Sequence, residues 1–201
     1  MHGSGMRQPH NIKIILASSS PRRKDLLRGL GLKFRTVPAD IDESMKPGES
    51  PVHLARRFAK CKAEAIAEKY NHTAHLIIAG DTIVVLVNRV LGKPKTKREA
   101  RMMLESLSGK SHGVISGLCL IQGNKKKIRH EFTQVTMRPL TQSEIRNYVA
   151  TGEPMDKAGA YGIHGIGATI ISRIHGDYFN VVGLPLVSLI KMLKAFGIQV
   201  I

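Results

Sequence analysis

Apolar residues come along this chain in short blocks, and the spacing within each block predicts an element. The run "KIILA", Lys13 to Ala17, is continuously apolar after its lysine and predicts a short buried strand. Ser20 as N-cap, Pro21 at the first helical position and Gly31 beyond the end bound the helix that follows. A second helix is predicted after Ser50-Pro51, where Leu54, Phe58, Cys61 and Ala65 make one apolar stripe with Lys62 beside it. "LIIAGDTIVVLVNRVLGKP", Leu76 to Pro94, predicts a buried strand, a polar break at Gly80-Asp81-Thr82 and a hairpin turning near Asn88-Arg89.

Farther along, Thr96 and Glu99 form a capping box for a helix with apolar positions Ala100, Met103, Leu104 and Leu107, closed by Gly109. Strands around 114–121 and 128–137 flank the turn "GNKKK", whose lysines read as a solvated hairpin tip. Thr141 and Glu144 cap a short helix ending by Gly152. Pro185 opens the last helix, with Leu186, Leu189, Ile190 and Leu193 apolar. Helices interleaved with strands and hairpins predict an α/β protein with a mixed sheet.

Composition narrows this picture. At 201 residues and 42% apolar, with no Pro-, Gly- or Ser-rich linker, residues 12–201 suit a single domain, or two lobes around a cleft. Residues 1–11 are an N-terminal extension in which "MHGSGM" reads as a cloning remnant ahead of Met6. Lys and Arg total 31 against 15 acids, a net charge of +16 carried mostly by the first two thirds. Such a field attracts phosphates, nucleic acid or anionic membrane without choosing among them. Aromatics are only 4% and Trp is absent, which removes a base-stacking platform and leaves nonspecific nucleic-acid binding. Cys61 and Cys119 are isolated, so they read as core thiols of a reducing compartment. No run nears the ~20 apolar residues of a membrane helix. The expectation is a soluble cytoplasmic protein without a membrane partner.

Chemistry concentrates at a few positions. In "LASSSPRR" the first turn of a helix offers unpaired N–H groups and the positive dipole end, with Arg22 and Arg23 beside it and serine hydroxyls just before. That combination suits a phosphate chain, although a capped helix with solvated arginines has the same sequence. Asp81, where a buried strand emerges, is placed to ligate magnesium or to orient and deprotonate water; an Asx-type turn is the other reading. Asp40, Asp42 and Glu43 offer further oxygen ligands, or simply an acidic loop. Lys93, held extended by Pro94, offers a point charge for phosphate. "HTAH", with His72 and His75, lacks the spacing and glutamate of a zinc hydrolase, and "SSSPRR" is not a G-x-S-x-G elbow. Cations at a helix start, on a second helix and at a hairpin end, with carboxylates between them, describe a cleft for a metal-bound polyphosphate.

The motifs "LASSSPRR", "GDTIV", "LGKP", "LSGKSH", "DKAGAYGIHG" and "VVGLPL", in this order, resemble the Maf family of nucleoside triphosphate pyrophosphatases from about Ile14 to Gly197. The resemblance implies an elongated α/β fold with a mixed central sheet flanked by helices and a central cleft, related to inosine triphosphate pyrophosphatases. It also implies hydrolysis of a nucleoside triphosphate to the monophosphate and pyrophosphate, with Mg2+ or Mn2+, and homodimers. Ser18, Arg22, Arg23, Lys62 and Lys93 match the family's phosphate-binding positions. Glu43 matches a metal or catalytic carboxylate, and Asp81 matches the proton acceptor and metal site. Arg22, Thr82 and His164 fall where base specificity is set, and "SPRR", "GDT" and "AYGI" resemble the dTTP/UTP branch. That branch usually has Gln where this chain has His164. Neutral imidazole also donates and accepts, with a different reach and a pH-dependent charge. The alternative that the resemblance leaves is a regulator of cell division and septum formation that senses nucleotide or nucleic acid without turnover. Asp81 and Glu43 beside an anion oppose that alternative unless a metal intervenes.

Overall fold

The computed structural model describes residues 12–70 and 73–201; the extension before Ile12 and His72 of "HTAH" lie outside the described residues. Strand β1 (Lys13–Leu16) pairs in parallel with β2 (Phe34–Thr36) on one side and with β3 (His75–Leu86) on the other. β3 pairs antiparallel with β4 (Arg89–Leu91). β5 (Ser111–Gln122), β6 (Lys125–Met137) and β7 (Ile171–His175) complete a seven-stranded mixed sheet of order β2-β1-β3-β5-β6-β7, with β4 off that path. Between the strands come helices α1 (Pro21–Gly29), α2 (Pro51–Ala67), α3 (Lys97–Leu107), α4 (Gln142–Ala150), α5 (Tyr178–Val182) and α6 (Leu186–Lys194).

The chain forms two compact units, each discontinuous in sequence. The first takes in the described residues up to Asp81, Ser116–Glu131 and Gly183–Ile201; the second takes in Thr82–Ile115 and Phe132–Val182.

Strand alternation builds the first unit. Ile14, Leu16, Leu76, Ile78, Leu118 and Leu120 point to one face of the sheet, where Leu27 of α1 and Leu189, Met192 and Leu193 of α6 cover them. Ile15, Ala17, Ile77, Ala79, Cys119 and Ile121 point to the other, beneath Ala59, Ala63 and Ile66 of α2. Burial on both faces explains why β1 and the start of β3 are continuously apolar.

The predicted stripe on α2 is rotated. Leu54 and Phe58 are buried, but Cys61 and Ala65 are only half-buried, and the buried set continues through Ala55, Ala59, Ala63, Ile66 and Ala67. The reason is close approach: a Cβ on Gly117 of β5 would lie 2.1 Å from the Ala55 carbonyl oxygen, so the helix rests its alanine face on a strand that has no side chain there.

In the second unit, α3 and α4 supply Ala100, Met103, Leu104, Leu107, Ile145, Tyr148 and Val149 to a core shared with Val84, Val114, Val135, Tyr161 and Ile170. Thr141 and Glu144 form the predicted reciprocal box on α4. At α3 only half of it forms: Thr96 accepts from the Glu99 N–H at 3.1 Å, while the Glu99 carboxylate accepts from Lys95 N–H rather than from the cap residue.

Two other expectations are corrected. β3 runs unbroken through Gly80-Asp81-Thr82, because the pairing and packing of its neighbours extend the strand past the polar residues. The lysines of "GNKKK" are exposed at the end of the hairpin, as expected, but they do not make its turn. Gly123 and Asn124 make the turn, and Lys125 to Lys127 already belong to β6. Lys125 donates to the Ala195 carbonyl with its ammonium 5.1 Å from the Phe196 ring centre, and Lys126 pairs with Glu64. The short strands β2 and β7, helix α5 and three 3₁₀ turns between Glu153 and Ile170 carry no periodicity that predicts them.

Candidate active site

The site grows from the same alternation. On β3, Ile77 and Ala79 face α2, so Asp81, two residues on, faces it as well. On α2, Lys62 follows Phe58 and precedes Ile66 at intervals of four, placing it in line with the buried face rather than merely beside it. The Lys62 ammonium therefore donates to Asp81 Oδ1 at 2.6 Å, and it also lies 2.7 Å from Glu43 Oε1. The Lys62 and Asp81 side chains are 13% and 12% exposed, whereas Glu43 is 58% exposed, so the group is buried on one side and open on the other.

Glu43 sits on the irregular segment between β2 and α2, and that segment is fastened to α2. Arg57 grips both oxygens of Glu49, at 2.7 and 2.6 Å, and also donates to the Ser44 carbonyl at 2.8 Å. Hydrogen bonds from Arg57 hold the Glu49 carboxyl down at about 2. Asp42 turns the chain by accepting from both the backbone N–H and the hydroxyl of Ser44, which lowers its own pKa.

At the start of α1, Ser20 is the N-cap, accepting from Arg23 N–H, as the sequence predicts. The Arg23 side chain turns back. Its Nε donates to the Gly183 carbonyl at 2.8 Å and its Nη1 to Ser18 Oγ at 3.2 Å, and Ser18 also accepts from Ser20 N–H. Nε would lie 3.5 Å from a Cβ on Gly80, next to Asp81. Burial lowers the pKa of the guanidinium; the Asp81 charge opposes this, Arg22 adds to it, and Glu43 opposes it more weakly.

Ser18, Arg22, Arg23, Glu43, Lys62 and Asp81 all belong to the first unit; Lys62 joins Asp81 and Glu43, Arg23 joins Ser18, and the charges of Asp81, Arg22 and Glu43 are felt at Arg23. Lys93, Thr82 and His164 belong to the second unit. Lys93 is exposed just after β4, next to Gly92, whose carbonyl accepts from Gly159 N–H at 3.0 Å. Thr82 is half-buried in β3, and His164 is half-buried ahead of the last 3₁₀ turn.

Sequence reasoning passes over Arg57, Glu49 and Gly183. A bidentate pair across a helix start leaves a trace in "GESPVHLARR", an acid ahead of the cap and two arginines one turn or more inside. Gly183 leaves none, because it meets Arg23 from 160 residues away.

Two carboxylates reaching one ammonium, with a half-buried arginine and a helix N-terminus beside them, can bind an anion and orient a nucleophile against it. A family model described as "Maf-like protein" matches residues 13–196. A dTTP/UTP pyrophosphatase from Syntrophomonas wolfei is 49% identical over 188 residues, 92% of this chain and 98% of that protein. Proteins of the same name from Aquifex aeolicus and Bacillus anthracis are 45% and 46% identical, covering 93% and 94% of this chain and 97% of each of theirs. Among solved structures, the Staphylococcus aureus Ham1 protein matches 92% of this chain and 97% of its own with a TM-score of 0.52 at 14% identity, a likeness of fold.

Proposed function

The chain belongs to the Maf-like protein family, and from that premise we propose that it hydrolyses dTTP or UTP to the nucleoside monophosphate and pyrophosphate. The observation that carries the chemistry is the Lys62 ammonium held between Asp81 and Glu43, with Arg23 packed against the same strand.

Arg22, Arg23, Lys62 and the α1 N-terminus attract and orient the polyphosphate, and Lys93 adds a further charge. Asp81 is positioned to orient water and accept its proton. Water oxygen bonds to the α-phosphorus, the bond from that phosphorus to the bridging oxygen breaks, and pyrophosphate leaves with the electron pair. Glu43, more exposed, shares the Lys62 charge and so tunes the same carboxylate.

The donor set fits a hard divalent cation. Asp81 and Glu43 already converge on one positive group, and within the first unit Arg22, Arg23 and Lys62 against these two carboxylates leave one net positive charge, too little for a triphosphate. Among the described residues no three His, Cys, Asp or Glu side chains gather to hold a metal on their own, and Asp81 and Glu43 are the residues that would hold it. Held by Asp81 and Glu43, Mg2+ or Mn2+ would supply charge neutralisation and Lewis acidity.

Arg22, Thr82 and His164 select the base, the imidazole standing in for the usual amide. Among the described residues no helix is long and apolar enough to cross a membrane, and the reading is of a cytoplasmic homodimer with no more than nonspecific affinity for nucleic acid.

The test is product analysis with a panel of nucleoside triphosphates and either metal. Pyrophosphate with dTMP or UMP is the expected result. Orthophosphate with a diphosphate, or no turnover of any nucleotide by folded protein, overturns the proposal.

A further inference from the structure

The glycine-rich stretch around His164 is held from one point. Glu153, which follows α4, accepts from Gly167 N–H through Oε1 at 3.0 Å and from Ile166 N–H through Oε2 at 3.1 Å. Oε1 also accepts from the Tyr148 hydroxyl at 2.8 Å, and that hydroxyl oxygen in turn accepts from Gly162 N–H at 3.1 Å. One Tyr–Glu pair therefore grips the chain two residues before His164 and again two and three residues after it.

The space around the pair leaves no room for side chains. A Cβ on Gly167 would lie 2.5 Å from the Tyr148 hydroxyl and 3.0 Å from Glu153 Oε1, and one on Gly165 would lie 2.9 Å from Oε2. Lys157 closes the remaining side, donating to the Glu153 carbonyl at 2.6 Å while its stem packs on Gly162. Backbone N–H donors converging on a carboxylate make a fixed, charge-assisted anchor, and the accepted bonds hold Glu153 in its ionised form against the cost of burial.

We infer that Tyr148 and Glu153 are positioning residues for base selection, clamping both ends of the loop 162–167 that presents His164. Neither touches substrate in this account; they act by fixing where the loop sits, and a small misplacement of a selecting group is costly. The inference rests on the reading of His164 in the proposed function, and its test separates the two.

Tyr148→Phe and Glu153→Gln are compared with His164→Ala and wild type. Amide hydrogen exchange is followed at Gly162, Ile166 and Gly167, and kcat/KM is measured for dTTP, UTP and a purine triphosphate. Tyr148→Phe removes one hydroxyl without adding volume and keeps the test open should Glu153→Gln fail to fold. The expected result is faster exchange at those amides together with a loss of about tenfold in pyrimidine preference, the size of one displaced contact, seen in KM more than in kcat. Unchanged preference in clamp variants whose amides have lost protection overturns the inference, and so does unchanged protection. If His164→Ala alone alters preference, the clamp falls and His164 stands; if the clamp variants alter it and His164→Ala does not, His164 falls, and with it the inference that the clamp acts by presenting it. Should the wild type turn over nothing, the proposed function fails, and the ratio of Kd values for the same nucleotides decides the clamp.

Discussion

Lys62 is the residue on which the site turns, because one ammonium satisfies two carboxylates that would otherwise repel an incoming polyphosphate and each other. A different residue sets the response to pH. His112 is buried in the second unit, its Nε2 2.7 Å from the Tyr161 hydroxyl and its ring edge-on to the tyrosine. Burial pushes its pKa down to about 4 from an ordinary 6.5. Below pH 6.5 the unfolded chain binds a proton that the folded chain refuses until about pH 4, so stability falls as pH drops through that window and is unaffected above it. The full difference is roughly 3 kcal/mol. Urea unfolding between pH 4 and 7 is expected to show this slope in the wild type and lose it in His112→Gln; parallel curves would refute the assignment. At this scale the sequence exposes residue types but not their partners. Asp81, Arg22 and Arg23 stand out from local context, whereas Lys62 and Glu43 gain meaning only from a helix and a loop folding against β3, and Glu153 is hidden beside a run of glycines.

Elements with strong terminal signals are legible before folding: α1, α2, α3 and α4 begin at Ser20, Ser50, Thr96 and Thr141, as their caps predict. β2 and β7 are not, since three and five half-exposed residues become strands only through β1 and β6. Nor is the continuity of β3 through Gly80-Asp81-Thr82, which neighbouring strands impose against local composition. The rotation of α2 has a consequence of its own. Its approach to β5 depends on Gly117, and α2 carries Lys62, so Gly117→Ala must push the helix away from Asp81. A destabilisation of about 3 kcal/mol, the upper range for a forced repacking, is expected in urea unfolding, with turnover reduced in the protein that remains folded. An unchanged midpoint would show that the helix adapts and that the close approach is not needed.

At the scale of the whole molecule, the absence of a compositional boundary along the chain has a structural cause. Both units are assembled from separated segments, and β3, β5 and β6 each give residues to the two of them, so no linker exists for the sequence to reveal. The fold class was legible all the same, because alternation of helix and strand survives this interleaving. The charge of +16 had been ambiguous among phosphate, nucleic acid and membrane; the gathering of Arg23, Lys62, Glu43 and Asp81 in one unit favours a polyphosphate. The most direct measurement is pyrophosphate release by Asp81→Asn beside wild type, with dTTP binding and thermal unfolding followed on the same samples. Loss of turnover with the fold and most of the nucleotide affinity retained is the predicted result. Turnover near the wild-type rate in the folded variant would contradict Asp81 as the group that orients water and takes its proton.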